Sequence, residues 1–237
     1  MEQIKRIVIE LHGEIVEIVS GVCEGEEKEK IKKFITGEYK RRGYIPGHIN
    51  TLEDEFDAGS VYFQTLANSV PIAAARLIEA NPLPTQSIFY RMDVPWPLRR
   101  FPPKSLREVS RLTASRRPGQ NPLPRHLAST AMISAIVDYG FKMGFCGGMS
   151  TIKLSFLHLF NRLKLPALHE IKGAKLIYPP DGILAGFFYD EEKPPVPIYY
   201  LQDEAKAIFD GLWRSIERTG KTLFEEEAKL LDHEVLI

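Results

Sequence analysis

A mixed α+β domain is the fold class that this sequence predicts, on three observations. Short runs rich in β-branched and aromatic residues, at Ser60 to Leu66 and Ile72 to Ile78, read as strands around a tight turn. Two long segments, Arg125 to Met143 and Gln202 to about Leu231, carry apolar residues at helical spacing. The order in which such segments follow one another lacks the regular βα alternation of a barrel. With 237 residues and no Ser/Gly-rich linker, the chain reads as one domain, 1–237, with 202–237 as a C-terminal helical extension.

Taken in order, residues 4–19 mix alternation with a His12-Gly13 turn signal, which favours a hairpin while leaving a helix open. Glu26 to Arg42 places Ile31, Phe34 and Ile35 on one helical face and stops at Gly43, a C-cap residue. A loop, YIPGHINTLEDEFD, leads into the first strand pair, and a proline-rich irregular stretch spans Asn81 to Pro103. SLREVSRLTAS reads as a further strand anchored by Leu106, Val109 and Leu112. RRPGQNPLP is a loop before the clearest helix, whose core face carries Leu127, Ala131, Ile133, Ile136, Val137 and Phe141. Residues 151–163 predict a second, apolar helix, and the proline-broken alternation from Gly173 to Leu201 predicts late strands at a sheet edge. The last helix presents Ala205, Ile208, Leu212, Ile216 and Leu223.

Composition narrows the function classes. The 31 basic and 31 acidic residues cancel, which argues against binding nucleic acid through global charge. No apolar run reaches the length of a membrane-spanning helix, and the opening residues lack the pattern of a secretion signal, so a cytoplasmic protein without stable membrane insertion is expected. Two cysteines, Cys23 and Cys146, make no disulfide framework, and the six histidines show no metal-ligand spacing, so no metal is expected.

The chemistry-bearing residues fall into three patches: Asp54-Glu55-Phe56-Asp57 before a strand, Arg76 in AAARLI, and Arg107-Glu108-Val109-Ser110-Arg111-Leu112. Strand alternation puts Glu108 and Ser110 on one face and Val109 on the other, so a carboxylate and a hydroxyl point together. Flanked by Arg107 and Arg111, Glu108 is expected to stay ionised and to accept a proton. Ser110 is the less favoured choice as a covalent nucleophile, since no histidine lies near it in sequence.

These motifs, DEFDAGSVYF (54–63), AAARLI (73–78) and REVSRLTASRR (107–117), occur in the order found in the acyl-carrier-protein-dependent N-acyltransferases with a GNAT-like fold, which the chain resembles over residues 30–165. That group holds the acyl-homoserine-lactone (autoinducer) synthases and the N-acyl amino acid synthases of the FeeM type. EYKRRGYIP (38–46) looks like a segment of the amino acid branch. Two departures favour that branch: Arg107 stands where autoinducer synthases usually have Trp, and Lys33-Phe34-Ile35-Thr36 does not match their first-helix motif.

The resemblance implies a central twisted, mostly antiparallel sheet flanked by helices, and transfer of a long-chain fatty acyl group from acyl carrier protein, or from acyl-CoA, to an amino acid. It implies Glu108 as general base with Arg111 and Ser110 beside it, and Asp54, Asp57, Arg76 and Tyr44 around the acceptor. Arg116, Arg117 and Arg125 would receive the phosphopantetheine arm of the carrier, and Phe156, Leu157 and Phe160 would line the acyl pocket. No bound cofactor is implied. The loop Arg116 to Asn121 has one glycine and Pro118, an incomplete cradle for a pyrophosphate, which favours a carrier protein over CoA. Between Arg91 and Arg125 nine basic residues face two acidic ones, a local +7 suited to an acidic partner. An autoinducer synthase acting on S-adenosylmethionine, a CoA-dependent acetyltransferase and a non-catalytic acyl-binding scaffold are the alternatives.

Overall fold

The structure, a computed structural model, describes residues 1–11, 14–115 and 125–219. The N-terminal segment resolves as a hairpin: β1 (Glu2–Leu11) pairs antiparallel with β2 (Glu14–Cys23). The chain then turns into α1 (Gly25–Arg41), which carries Glu26 and Glu27 in its first turn and Lys40 and Arg41 in its last, each sign favourable to the helix dipole. Gly43, at φ +71, takes the left-handed conformation that ends the helix, and its amide donates to Lys40 O at 2.9 Å. Strands β3 (Val61–Ala67) and β4 (Val70–Ile78) form the next hairpin.

The proline-rich stretch has local order. A single π turn, Thr85–Phe89, runs into the short strand β5 (Tyr90–Arg91) and the one-turn helix α2 (Trp96–Arg99), which delivers the chain to β6 (Leu106–Ala114). After α3 (Arg125–Lys142) come β7 (Gly147–Lys153) and α4 (Leu154–Arg162), then β8 (His169–Glu170) and β9 (Lys175–Leu176). The helical turn α5 (Ala185–Phe188), β10 (Pro195–Leu201) and α6 (Gln202–Thr219) complete the described chain.

Among the described residues eight strands make one sheet in the order β1-β2-β3-β4-β6-β7-β10-β8, while β5 and β9 pair separately. Every pairing in the large sheet is antiparallel except β6 with β7, which run parallel and pair only from Leu106–Gly147 to Glu108–Met149. Beyond those residues the two strands continue and diverge, because β6 follows β4 and β7 follows β10. The expected mostly antiparallel sheet flanked by helices is therefore what the chain forms. At the pairing itself the backbones are too close for side chains: a Cβ on Gly148 would lie 1.7 Å from Arg107 O.

The sheet separates two environments. On one face α1 packs Ile31, Ile35 and Tyr39 against Tyr62 and Ala74. On the other, α3 packs Ala128, Met132 and Ile136 against Phe63, Ala75 and Leu77, and α6 adds Phe209 and Trp213 beside Phe160 of α4. Fully buried rings such as Phe63, Phe160 and Phe209 each contribute about 1.5–3 kcal/mol by leaving water.

Three expectations need correction. Residues 151–153 end a strand and only 154–162 are helical, because β-branched Thr151 and Ile152 pair along β10 before the Leu-rich turn begins. Phe141 is 54% exposed, not on the core face of α3. The predicted late strands do not all lie at the edge: β10 has β7 on one side and the two-residue β8 on the other, and its prolines stand at its start, where β8 offers no partner strand. The last helix is described to Thr219, so Leu223 lies outside the described residues, as does the Ile216 side chain. Among the described residues no helix is long and apolar enough to cross a membrane.

Candidate functional site

On the α1 face two arginines and two aspartates close into one cluster. Asp54 and Asp57 come from the loop before β3, Arg76 from β4 and Arg111 from β6. Arg76 grips Asp54 with both ends of its fork, Nη1 to Oδ1 at 2.6 Å and Nη2 to Oδ2 at 2.8 Å, and reaches Asp57 Oδ1 at 3.0 Å. Arg111 donates to Asp54 Oδ2 at 2.9 Å, Asp57 Oδ1 at 3.2 Å, the Tyr62 hydroxyl at 3.0 Å and Leu52 O at 2.6 Å. The Asp54 amide donates to Asp57 Oδ2 at 2.7 Å, and the Tyr62 hydroxyl donates to Asp57 Oδ1. Burial pushes the Asp57 carboxyl up, but the Tyr62 hydrogen bond and the Arg111 and Arg76 charges outweigh it and hold the group below its ordinary range.

The convergence of Arg111 depends on a backbone irregularity. Register between β4 and β6 jumps from Arg76–Ser110 to Ala74–Thr113, so Arg111 and Leu112 together oppose the single residue Ala75. Arg111 sits at φ +54, which costs a residue with a Cβ about 1–2 kcal/mol. The bulge resets the alternation: Val109 and Leu112, three apart, pack on the α3 face, while consecutive Ser110 and Arg111 both reach the cluster on the other. Such a bulge also bends β6 away from β7, which favours the divergence of the two strands.

Glu108 stands at the last paired position before that divergence and is 1% exposed. Its Oε2 accepts the Thr85 amide at 2.7 Å, at the start of the π turn, and Thr85 Oγ1 lies 3.1 Å from Thr151 Oγ1 on β7. Burial pushes the Glu108 carboxyl up to about 8, against the pull of the Thr85 hydrogen bonds and the Arg76 charge. The expectation that flanking arginines keep Glu108 ionised is therefore corrected. Arg107 turns to Glu79 at 2.9 Å and covers the Phe145 ring at 4.1 Å, and Arg111 is taken up by the aspartates. A carboxyl that titrates near neutral pH is matched to general acid–base work. Ser110 Oγ accepts from Arg76 Nε at 3.0 Å, so it orients the arginine.

On the opposite face of the divergence lies an apolar cavity of about 40 Å³. Val109 and Leu112 of β6, Ile152 of β7, Ile136 of α3, Phe156 of α4 and Phe209 of α6 are among its walls, and Tyr200 and Ser150 supply polar atoms. Ser150 Oγ crosses the gap to donate to Val109 O at 2.5 Å. Glu108 and Val109 are neighbours on one strand, so the carboxyl and the cavity are separated by the thickness of the sheet at the point where it opens.

Of the residues picked from sequence, the structure brings together Asp54, Asp57, Arg76, Ser110 and Arg111, with Glu108 two residues from Ser110 on the same face. Tyr44 is set apart from them, edge-on to Phe187 at 5.2 Å and under the Lys153 ammonium at 4.9 Å. Phe156 lines the cavity; Leu157 and Phe160 pack elsewhere, against Ile198 and Phe209. Arg116, Arg117 and the Arg125 side chain lie outside the described residues. Sequence reasoning missed Thr85, Tyr62 and Lys153. The first sits in a proline-rich stretch with no periodicity, and Lys153 was assigned to a helix. Among the described residues no group of three or more metal-ligating side chains converges.

No family model matches the chain, and no curated protein does at a significant level. Solved structures do. TofI, in a ternary complex with an inhibitor and MTA, matches at a TM-score of 0.57 and 16% identity, over 81% of this chain and 96% of TofI. The AHL synthase LasI matches at 0.52 and 12%, over 83% and 95%. FeeM, an N-acyl amino acid synthase from uncultured soil microbes, matches at 0.50 and 13%, over 88% and 97%. The chain is similar to all three in fold.

Proposed function

We propose that the chain is an N-acyltransferase that moves a long-chain fatty acyl group from acyl carrier protein to the amine of an amino acid, giving an N-acyl amino acid. The observation that carries this reading is the placement of Glu108 and the apolar cavity on opposite faces of the sheet where β6 and β7 part. A thioester seated in the opening has its carbonyl within reach of an amine on the α1 face and its alkyl chain against the cavity. A thioester donor is what the resemblance carried by the sequence motifs implies.

An α-ammonium is not a nucleophile. Glu108, as carboxylate, takes its proton directly or through a water. The amine nitrogen attacks the thioester carbonyl, a C–N bond forms, and the C–S bond breaks with its electron pair leaving on sulfur. The nitrogen sheds its second proton through water to the departing thiolate, which leaves as the free thiol; Tyr200, on the cavity wall with its hydroxyl kept protonated by burial and by the nearby Glu108 carboxylate, donates a hydrogen bond to that sulfur. Asp54, Asp57, Arg76 and Arg111 hold the 52–60 loop against the sheet as an ionic network, buried at Asp57 and both arginines and open to solvent at Asp54, and fix the rim of the acceptor site.

The cavity's free volume of about 40 Å³ holds only a few water molecules. A fatty chain therefore enters by displacing side chains, and the Phe156 ring, partly buried at the wall, is suited to turn. The choice of a carrier protein over CoA rests on the local +7 between Arg91 and Arg125 and on the single glycine of the Arg116 to Asn121 loop.

An expressing bacterial host tests this reading. Organic extracts should contain N-acyl amino acids absent from an empty-vector control and from cells expressing Glu108→Gln. Extracts that contain an acyl-homoserine lactone instead would overturn the acceptor half of the proposal, and extracts identical to the control would count against transfer.

A further inference from the structure

Lys153 is the last residue of β7 and shares a face with Thr151, while Ser150 and Ile152 between them line the acyl cavity. It therefore projects on the α1 side, about 7 Å beyond Thr151 along the strand. Thr151 is joined through Thr85 to Glu108 by contacts of 3.1 Å and 2.7 Å. Glu108 and Lys153 thus stand on one face, on the two strands that border the opening.

The ammonium is nearly enclosed. Its side chain is 10% exposed, and the rings of Tyr44 and Phe187 lie 4.9 Å and 4.5 Å from it. It donates to Phe187 O at 2.7 Å and to Asp190 Oδ2 at 3.0 Å. An ammonium has three donors, and these contacts occupy two. Burial outweighs Asp190 and brings Lys153 below the ordinary lysine range, with Lys193 adding to the repulsion. One carboxylate is thus too little compensation for this cation, and a second would stabilise it.

We propose that Lys153 binds the carboxylate of the acceptor, with Tyr44 and Phe187 as walls for its side chain, so that the site takes an amino carboxylate in preference to a simple amine. The inference rests on the acyl-transfer reading above. Glu108 pairs with Met149, four positions before Lys153, an offset of about 13 Å along the strands; an α-amino acid with a hydrogen bond at each end spans about 9 Å of it, leaving the lengths of the Glu108 and Lys153 side chains to cover the rest.

Calorimetric binding to the purified full chain tests it without turnover. The probes are N-decanoyl-phenylalanine and N-decanoyl-phenethylamine, which differ only in the carboxylate. Wild type should bind the acid roughly tenfold to a hundredfold more tightly, the worth of one charged hydrogen bond. Lys153→Met should bring the two probes to equal affinity by weakening the acid alone, and Lys153→Arg should restore part of the preference. Equal binding of both probes by wild type, or equal weakening of both by Lys153→Met, overturns the proposal. If Lys153→Met does not fold, Asp190→Asn decides: removing the resident counter-ion should strengthen the preference for the acid, and an unchanged or reduced preference counts against it. A chain that shows the Lys153-dependent preference but transfers no acyl group keeps the anchor and loses the transfer reading. One that acylates phenylalanine and phenethylamine alike, unaffected by Lys153→Met, does the reverse.

Discussion

Glu108→Gln is the substitution with the clearest consequences, because it keeps the shape of the side chain and an oxygen for the Thr85 amide while removing the titration. With its carboxyl pushed up to about 8, Glu108 is about one-tenth ionised at pH 7 and about nine-tenths ionised at pH 9. The acceptor amine titrates identically for both proteins, so the ratio of wild-type to variant kcat/KM isolates Glu108. That ratio should rise about tenfold between pH 7 and pH 9, and at pH 9 it should reach the 10²–10⁴ typical of a general base.

Stability should move the other way. The carboxyl ordinarily titrates at 4.5 and in the folded chain near 8, so between those values the unfolded chain has released a proton that the folded one retains. The stability that the neutral form secures is fully present below 4.5 and is lost as pH rises toward 8, by at most about 1.4 kcal/mol per pH unit. Glu108→Gln lacks that loss, so at pH 8 it should melt at a higher temperature than wild type while being nearly inactive. Equal activity of the two proteins across the range, or a variant less stable than wild type at pH 8, would refute the assignment.

Arg111→Ala and Arg76→Ala each remove one of the two guanidiniums that the exposed Asp54 and the buried Asp57 share, leaving the other in place, and should each cost about 1.5–3 kcal/mol by chemical denaturation. Asp57→Asn should lower stability at pH 6 yet approach wild type as pH falls, since the depressed Asp57 carboxyl contributes above its unfolded value and loses that contribution on protonation. Gly148→Ala forces a Cβ to 1.7 Å from Arg107 O, so β7 must leave β6; a loss of about 3 kcal/mol or more should appear in the melting curve, with activity falling alongside. Ala205→Leu adds bulk to the cavity wall and should shift the preferred acyl chain to a shorter one in a competition assay, with total turnover on short chains retained.

Much of this was legible in the sequence for identifiable reasons. The strands flanking Asn68-Ser69 carry β-branched and aromatic residues, α1 and α3 carry apolar residues at helical spacing, and the acidic pair, Arg76 and the E-x-S-R run are local motifs that need no long-range knowledge. What was not legible depends on contacts far apart in the chain. β7 reads as part of a helix because Thr151-Ile152-Lys153 runs straight into Leu-rich α4, and only its pairing with β10 makes it a strand. Arg111 should alternate away from Ser110, and the bulge that returns it is set by Ala75 on the neighbouring strand. Glu108 looks ionised between two arginines, but strand geometry sends each of them to a different carboxylate.

Under the acyl-transfer reading, this chain joins a thioester to an amine. The most direct test of that reading is the purified chain, incubated with a decanoyl-loaded acyl carrier protein and a mixture of amino acids, with products read by mass spectrometry. At pH 9 an N-decanoyl amino acid should form with release of free carrier thiol, in amounts that Glu108→Gln reduces at least a hundredfold. Decanoyl carrier that stays intact, or is hydrolysed to free acid at the same rate by wild type and Glu108→Gln, would contradict it.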